Sequence, residues 1–454
     1  MIAMTLDEIA RVVGGEVHGD GRLRVTGAAF VDSRSPVPEG LFVAVVGERV
    51  DGHDYADGAH AVLGSRPTGA ASVVVADPVV ALGQLARHVL DRLEAKVLAL
   101  TGSQGKTGTK DYLAHVLSRA GVTVATAGNL NNELGVPLTV LRAGPDAAYL
   151  VVEMGARGTG HISYLCQIAP PDVAAVLNVG TAHIGEFGSR EAIAAAKAEI
   201  VTALRPGGTA VLNADDDLTG AIPAPAGATT LTFGRLGQVT WGDVELDDLG
   251  RPTFTLEYAG SRHRISLTQT GAHQVSNAAA AAAMAVAAGV ELDVIAHSLA
   301  SATAASRWRM ELHERADGLV LLNDSYNANP ASMLAAIEAL VAIGSRGGGR
   351  RTIAVLGEML ELGDESTAAH REVGAAAAEA GVDVLVTVGE TAREIAAGWA
   401  GEAMVTAGRE EAVTWLRDNT GAGDVVLIKA SRGAALDVIA DRLLVDQEGE
   451  PAQT

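Results

Sequence analysis

The chain has 454 residues, 48% hydrophobic and 20% charged, enough for several apolar cores and unlike a mostly disordered protein. Its 34 Lys and Arg against 55 Asp and Glu leave a net charge of −21, which gives no overall attraction to nucleic acid or an anionic membrane. The single cysteine, Cys166, excludes an intrachain disulfide and a cysteine metal cluster; with no signal-peptide pattern and no bilayer-length apolar run, a cytoplasmic chain without membrane insertion is expected.

Residues 1–94 open on the amphipathic "TLDEIARVVGG" and continue through strand-like "LRVTGAAFV", "LFVAVVG" and "ASVVVA", which predicts a small N-terminal α/β domain. Over 95–311 apolar strands alternate with helical patterns: "KVLALT" with "KDYLAHVLSRAG", "AYLVVEMG" with "GHISYLCQIA", "VAAVLNV" with "EAIAAAKAEIVTAL", then "GTAVLNADD". That alternation predicts a central parallel sheet covered by helices. "NAAAAAAMAVAAG" has the composition of a tightly packed helix. Residues 312–454 repeat the alternation in "RTIAVLGEM", "VDVLVTVGE" and "DVVLIKASRG", a Rossmann-like third domain. The stretches "AIPAPAGATT" and "GSRGGGRR" read as loops and "VDQEGEPAQT" as a frayed tail. The fold class is α/β in three domains.

The chemistry starts at "LALTGSQGKTGTK", residues 98–110, where an apolar strand runs into Gly102, Ser103, Gly105, Lys106 and Thr107 ahead of a helix. Backbone N–H groups, a cation and a hydroxyl at a helix N-terminus suit phosphate and Mg²⁺, although the loop is shorter than the usual G-x-x-x-x-G-K-[ST]. Ligands of parallel sheets bind beyond the carboxyl ends of the strands. Glu153 ends "AYLVVE" and His183 follows "VAAVLNV", so three strand ends offer a lysine with a hydroxyl, a carboxylate and an imidazole to one edge. Taken singly, Glu153 reads first as a solvated turn residue, His183 as a locally bonded imidazole and the two glycines as a tight turn; their convergence on one sheet edge favours the site.

The shortened loop, "VVEMG", "TAHIGEFGS", "AKAEI", "GAHQVSNAAAA" and "LNDSYNANP", in this order, resemble the Mur ligases, and with "TAGNLNNELGVP" and "GEMLELG" the likeness covers nearly the whole chain. Within that family these motifs are most similar to the members that join D-alanyl-D-alanine to UDP-N-acetylmuramoyl-tripeptide. The resemblance implies ATP-dependent amide bond formation through an acyl phosphate, with two Mg²⁺ ions, and a monomer is expected. It implies that Lys106 holds the β- and γ-phosphates, that Thr107 and Glu153 ligate one Mg²⁺, and that His183 contributes to a second. Lys197 matches a lysine that takes up CO₂ and binds metal as a carbamate; read from sequence alone it is a solvated helix cation.

The same resemblance puts His273 and Asn277 on the adenine side of ATP, Arg307 on phosphate and Asp324 on the ribose. For Asn277 a helix cap ahead of the alanine run is the competing reading. Ser33 and Arg34 of "DSRS" match the uridine side, Asn129, Asn131 and Asn132 the muramoyl and peptide groups, and Asn327 and Asn329 the dipeptide. The chain departs from the family pattern at Gly108, Gln274 and Ser306, none of which is an assigned metal or phosphate group. Another ligase of the superfamily, adding a different amino acid to a muramoyl peptide or glutamate to folate, is the alternative activity. A nucleotide-dependent scaffold with vestigial hydrolysis is the alternative class.

Overall fold

Thr5 begins the first helix, α1 (Leu6–Val13), by a reciprocal cap: its hydroxyl accepts the Glu8 N–H at 3.2 Å and the Glu8 carboxylate accepts the Thr5 N–H at 2.7 Å. Gly14 ends it at φ +66°, a left-handed turn that suits glycine. The computed structural model describes residues 1–47, 50–180, 187–303, 305–346 and 348–445. By its internal contacts the chain divides into two units. One holds Met1–Gly180, 187–240 and Ala279–Ser298; the other holds Trp241–Ala278 and, from Leu299, the described remainder.

In the first unit, β1 (Glu16–His18), β2 (Ala29–Phe30), β3 (Leu41–Val43), β4 (Ala61–Gly64) and β5 (Ser72–Val74) form a sheet in the order β1-β5-β4-β3-β2. Only β1 runs antiparallel to its neighbour. Helix α2 (Pro78–Leu90) follows, started by Asp77 accepting two amide N–H groups. Its Leu82, Leu85 and Val89 join one apolar cluster that also includes Val136, Leu165 and Ile200. Gly83 sits where a Cβ would come 3.2 Å from Ile168. One core therefore runs continuously past residue 94.

The central sheet collects β6 (Lys96–Thr101), β7 (Thr123–Ala125), β8 (Tyr149–Glu153), β9 (Val173–Val176), β10 (Thr209–Asn213) and β11 (Thr229–Phe233) in the order β11-β10-β9-β6-β8-β7. Every pair is parallel, and β6, β8 and β9 are almost wholly buried, as sheets covered on both faces require. The covering helices are α3 (Lys106–Ser118), α4 (Gly135–Val140), α5 (His161–Ile168) and α6 (Arg190–Thr202). Cys166 is buried on α5 as an apolar side chain, its pKa raised to about 12 by burial.

The sequence alternation misses the next element. Within the stretch that reads as parallel sheet, β12 (Thr240–Leu246), β13 (Pro252–Tyr258) and β14 (Ser261–Ser266) form a separate three-stranded sheet with β13 and β14 antiparallel. Its alternating exposed positions follow a half-solvated face rather than a continuous apolar run. Helix α7 (Gln274–Ala287) then buries Ala278–Ala285 to 1% exposure or less, and α8 (Leu292–Ala300) follows. The division between the units falls inside α7.

In the second unit, β15 (Glu311–Glu314), β16 (Val320–Asn323), β17 (Arg351–Leu356), β18 (Val384–Val388), β19 (Met404–Thr406) and β20 (Asp424–Lys429) are ordered β15-β16-β20-β17-β18-β19. All pairs are parallel except β15 with β16. Helices α9 (Pro330–Arg346), α10 (Ser366–Glu379), α11 (Arg393–Gly398), α12 (Arg409–Asn419) and α13 (Asp437–Val445) cover it. Gly374 of α10 and Gly398 of α11 let two backbones meet: a Cβ on either would lie 1.9 Å from a carbonyl oxygen of the other helix.

Candidate active site

The helices after β6 and β9 carry the chain to opposite sides of the central sheet, α3 toward β7 and α6 toward β10, so the carboxyl ends of these neighbouring strands form a switch point. The loop 102–105 leaves β6 there. Gly105 turns it into α3 at φ +75°, and a Cβ on Gly102 would lie 2.9 Å from the Leu177 side chain, so both glycines are required by space or conformation. Asn178, just past β9, clamps the loop. It accepts from Ser103 N–H at 3.2 Å and, through Oδ1, from Gln104 N–H at 2.9 Å, while its Nδ2 donates to Gln104 O at 3.2 Å. Gly180 N–H donates to Ser103 Oγ at 2.9 Å.

Lys106 is the first residue of α3, and its Nζ folds back to donate to Gly102 O at 2.7 Å and Ser103 O at 3.4 Å. Its cation thus lies over the loop beside the first amides of a helix N-terminus. Thr107 Oγ1 donates to Glu153 Oε2 at 2.9 Å, and Asn131 Nδ2 donates to Glu153 Oε1 at 2.8 Å. Glu153 is 1% exposed and its own N–H is held by Thr126 Oγ1 at 3.0 Å. The solvated-turn alternative for Glu153 is overturned: its carboxylate is kept inside by two side-chain donors.

Lys197, on α6, is 6% exposed, which overturns the reading of a solvated helix cation. Burial, followed by the charge of Lys106, lowers its pKa from 10.5 to about 7. His183 lies outside the described residues. The structure therefore brings Gly102, Ser103, Gly105, Lys106, Thr107, Asn131 and Glu153 together and adds a buried, easily neutralised lysine within reach of the Lys106 field.

The other asparagines of "GNLNN" differ in use. Asn129 is exposed, with its carbonyl accepting Asn131 N–H at 2.7 Å. Asn132 Oδ1 accepts Leu134 N–H at 3.3 Å and Gly135 N–H at 3.0 Å, starting α4. Arg34 is exposed and forms a two-pronged bond with Asp32 at 2.9 and 2.8 Å, which holds the Asp32 pKa at about 2; Ser33 lies in the same turn.

In the second unit Asn277 is the fourth residue of α7, not its cap, and its Nδ2 donates to Gln274 Oε1 at 3.0 Å. His273 lies at the surface, but the protein packed around it lowers its pKa, with Asp324 raising it and Lys429 lowering it. Arg307 stacks on Trp308 at 5.2 Å. Asp324, just past β16, accepts Met310 N–H at 3.1 Å and the Lys429 ammonium at 2.6 Å. Asn327 supplies its carbonyl to Lys429 at 2.8 Å. Asn329 Oδ1 accepts Ser332 N–H at 2.9 Å, so its amide caps α9.

The sequence reading missed Asn178, Thr126 and Lys429. The first two had no signal beyond position after a strand. Lys429 had one: a lysine closing the apolar run "DVVLI" at a carboxyl strand end. Among the described residues no cluster of three His, Cys, Asp or Glu is placed to hold a metal, and no helix is long and apolar enough to cross a membrane.

Residues 100–285 match the Mur ligase middle domain and residues 308–432 the Mur ligase, glutamate ligase domain. The UDP-N-acetylmuramoyl-tripeptide–D-alanyl-D-alanine ligase of Mycobacterium tuberculosis is 41% identical, over 98% of each chain. The crystal structure of MurF from Acinetobacter baumannii superposes with a TM-score of 0.86 at 34% identity, over 97% of this chain and 99% of that one. The MurF ligase of Thermotoga maritima, solved in complex with ADP, gives 0.80 at 32% identity, over 94% and 99%.

Proposed function

The chain belongs to the Mur ligase family, and on that basis we propose how its residues carry the reaction of its relatives. It is an ATP-dependent ligase that joins D-alanyl-D-alanine to UDP-N-acetylmuramoyl-tripeptide, giving the pentapeptide precursor of peptidoglycan. The terminal carboxylate of the tripeptide takes the γ-phosphoryl group of ATP. The dipeptide amine then attacks the acyl carbon, and phosphate leaves as the amide forms. A carboxylate is a poor electrophile and its acyl phosphate a good one, so the first step is mainly positioning and charge neutralisation.

The observation that carries this assignment is the clamped loop 102–105 with Lys106 folded over it and the Thr107–Glu153 pair beneath. Lys106 releases its two loop carbonyls to pair with the β- and γ-phosphates, and the first amides of α3 take phosphate oxygens. A hydroxyl and a carboxylate, both nearly dry and both oxygen donors, fit Mg²⁺, with Thr107 and Glu153 as its ligands. Bound there, the ion would neutralise charge on the phosphates. His183 and a carbamate on Lys197 are assigned to a second ion. The lowered Lys197 pKa supports that role, because only the neutral amine reacts with CO₂.

The remaining roles follow the family pattern: His273, Asn277, Arg307 and Asp324 for the nucleotide, Ser33 and Arg34 for the uridine end, Asn129, Asn131 and Asn132 for the muramoyl peptide, Asn327 and Asn329 for the dipeptide. The capping bonds of Asn132 and Asn329 use their side-chain oxygens and leave their amide nitrogens for a ligand. Residues 1–94 are assigned as the UDP-muramoyl substrate domain, 95–311 as the ATP-binding ligase domain and 312–454 as the Rossmann-like C-terminal domain. A monomer acting in the cytoplasm completes the assignment. Phosphate release with UDP-muramoyl-tripeptide should require Mg²⁺ and D-alanyl-D-alanine together. Equal turnover with L-glutamate as amine donor would refute the dipeptide assignment.

A further inference from the structure

We propose that Lys429 is a positioning residue for nucleotide binding, acting through Asp324 without touching the ligand itself. Lys429 closes β20 between β16 and β17, after five apolar or buried positions, and is 2% exposed. An ammonium so placed has to be paired. It donates to Asp324 Oδ2 at 2.6 Å and to Asn327 O at 2.8 Å, which fixes both ends of the turn that follows β16.

The other Asp324 oxygen, Oδ1, accepts Met310 N–H at 3.1 Å. Met310 and Trp308 both have left-handed backbones, at φ +50° and +61°, and such conformations persist only where the surroundings hold them. Asp324 is one of those holds, and Tyr326 N–H donating to Trp308 O at 3.1 Å is another. The constrained segment presents Arg307 on the Trp308 face and Arg309 on the Tyr326 face, at 5.2 and 3.9 Å. Lys429 therefore anchors the Asp324 carboxylate, the 324–327 turn and, at one remove, the arginine segment. Its own carbonyl accepts Gly357 N–H at 2.9 Å, tying in the loop after β17.

An apolar residue would end the same strand without the desolvation cost of a buried ion pair, so stability alone is a poor reason for a lysine here. What the lysine adds is one fixed orientation of Asp324, with Oδ1 toward Met310 and Oδ2 toward Lys429. The inference rests on the assignment of Asp324 to the nucleotide.

The test is a double-mutant cycle on ADP binding by the full chain with Mg²⁺, read by calorimetry, with KM for ATP and kcat measured alongside. Asp324→Asn and Lys429→Met should each weaken ADP by about tenfold or more, while the pair together should be within about twofold of Asp324→Asn alone. Lys429→Met should raise the KM for ATP more than it lowers kcat at saturation. If Lys429→Met does not fold, Lys429→Arg takes its place in the same cycle, since the larger guanidinium keeps the charge but displaces the carboxylate. Unchanged ADP affinity in Asp324→Asn overturns the Asp324 assignment and this inference with it. A weakened Asp324→Asn beside an unaffected Lys429 variant, or losses that multiply in the double variant, overturns the role of Lys429 alone.

Discussion

Replacing Lys197 by Met separates the cost of a buried lysine from its use. The fall of its pKa from 10.5 to about 7 means that the folded chain releases this proton long before the unfolded chain does. Between those values the unfolded state binds more protons, so wild-type stability rises with pH across that window and lies flat below it. At roughly 1.4 kcal/mol per pH unit, the buried ammonium costs on the order of 4 kcal/mol at pH 7. Met has a similar length, no charge and nothing to desolvate. Lys197→Met should therefore be the more stable protein at pH 7, with the gap closing as pH approaches 10. Urea denaturation followed by circular dichroism from pH 6 to 10, in buffer freed of CO₂, reads the sign from the midpoints even where a chain of this size unfolds in more than one step. The same variant should lose most ligase activity and regain part of it with millimolar short carboxylic acids, which can occupy the vacated anion position. A variant less stable than wild type at pH 7, or a gap independent of pH, would refute the burial argument; full activity without added acid would refute the carbamate.

Two further outcomes follow from particular contacts. Glu153→Gln keeps the shape but replaces one acceptor with a donor, and the Thr107 hydroxyl can turn to accept, so melting should move by only a few degrees while phosphate release falls by about a hundredfold; undiminished release would remove Glu153 from the site. Gly374→Ala places a Cβ 1.9 Å from Ile395 O and should cost about 1–3 kcal/mol or more by forcing α10 from α11, measured by denaturation, with the KM values for ATP and dipeptide unchanged; wild-type stability would mean the helices separate freely.

Features governed by neighbouring residues were legible in the sequence. Period and turn chemistry placed four strands of the central sheet and three of the second-unit sheet with the helices after them, and a glycine pair ahead of Lys106-Thr107 marked the proposed phosphate loop, because loop conformation depends on the residues within it. The same rules failed for β12–β14, whose half-exposed strands lack the apolar run of the neighbouring sheet. They also gave Glu153 and Lys197 the exposure usual for their residue types, and there the packing of distant segments prevailed. Glu153 is dry because β8 lies beside β6, which brings Thr107 and Asn131 to its two oxygens. Lys197 has a lowered pKa because α6 packs its side chain into the protein near Lys106, and Lys429 is paired because β20 inserts next to β16 and meets Asp324 across 105 residues of chain. Exposure and pairing depend on which strands become neighbours, and no window of sequence contains that information.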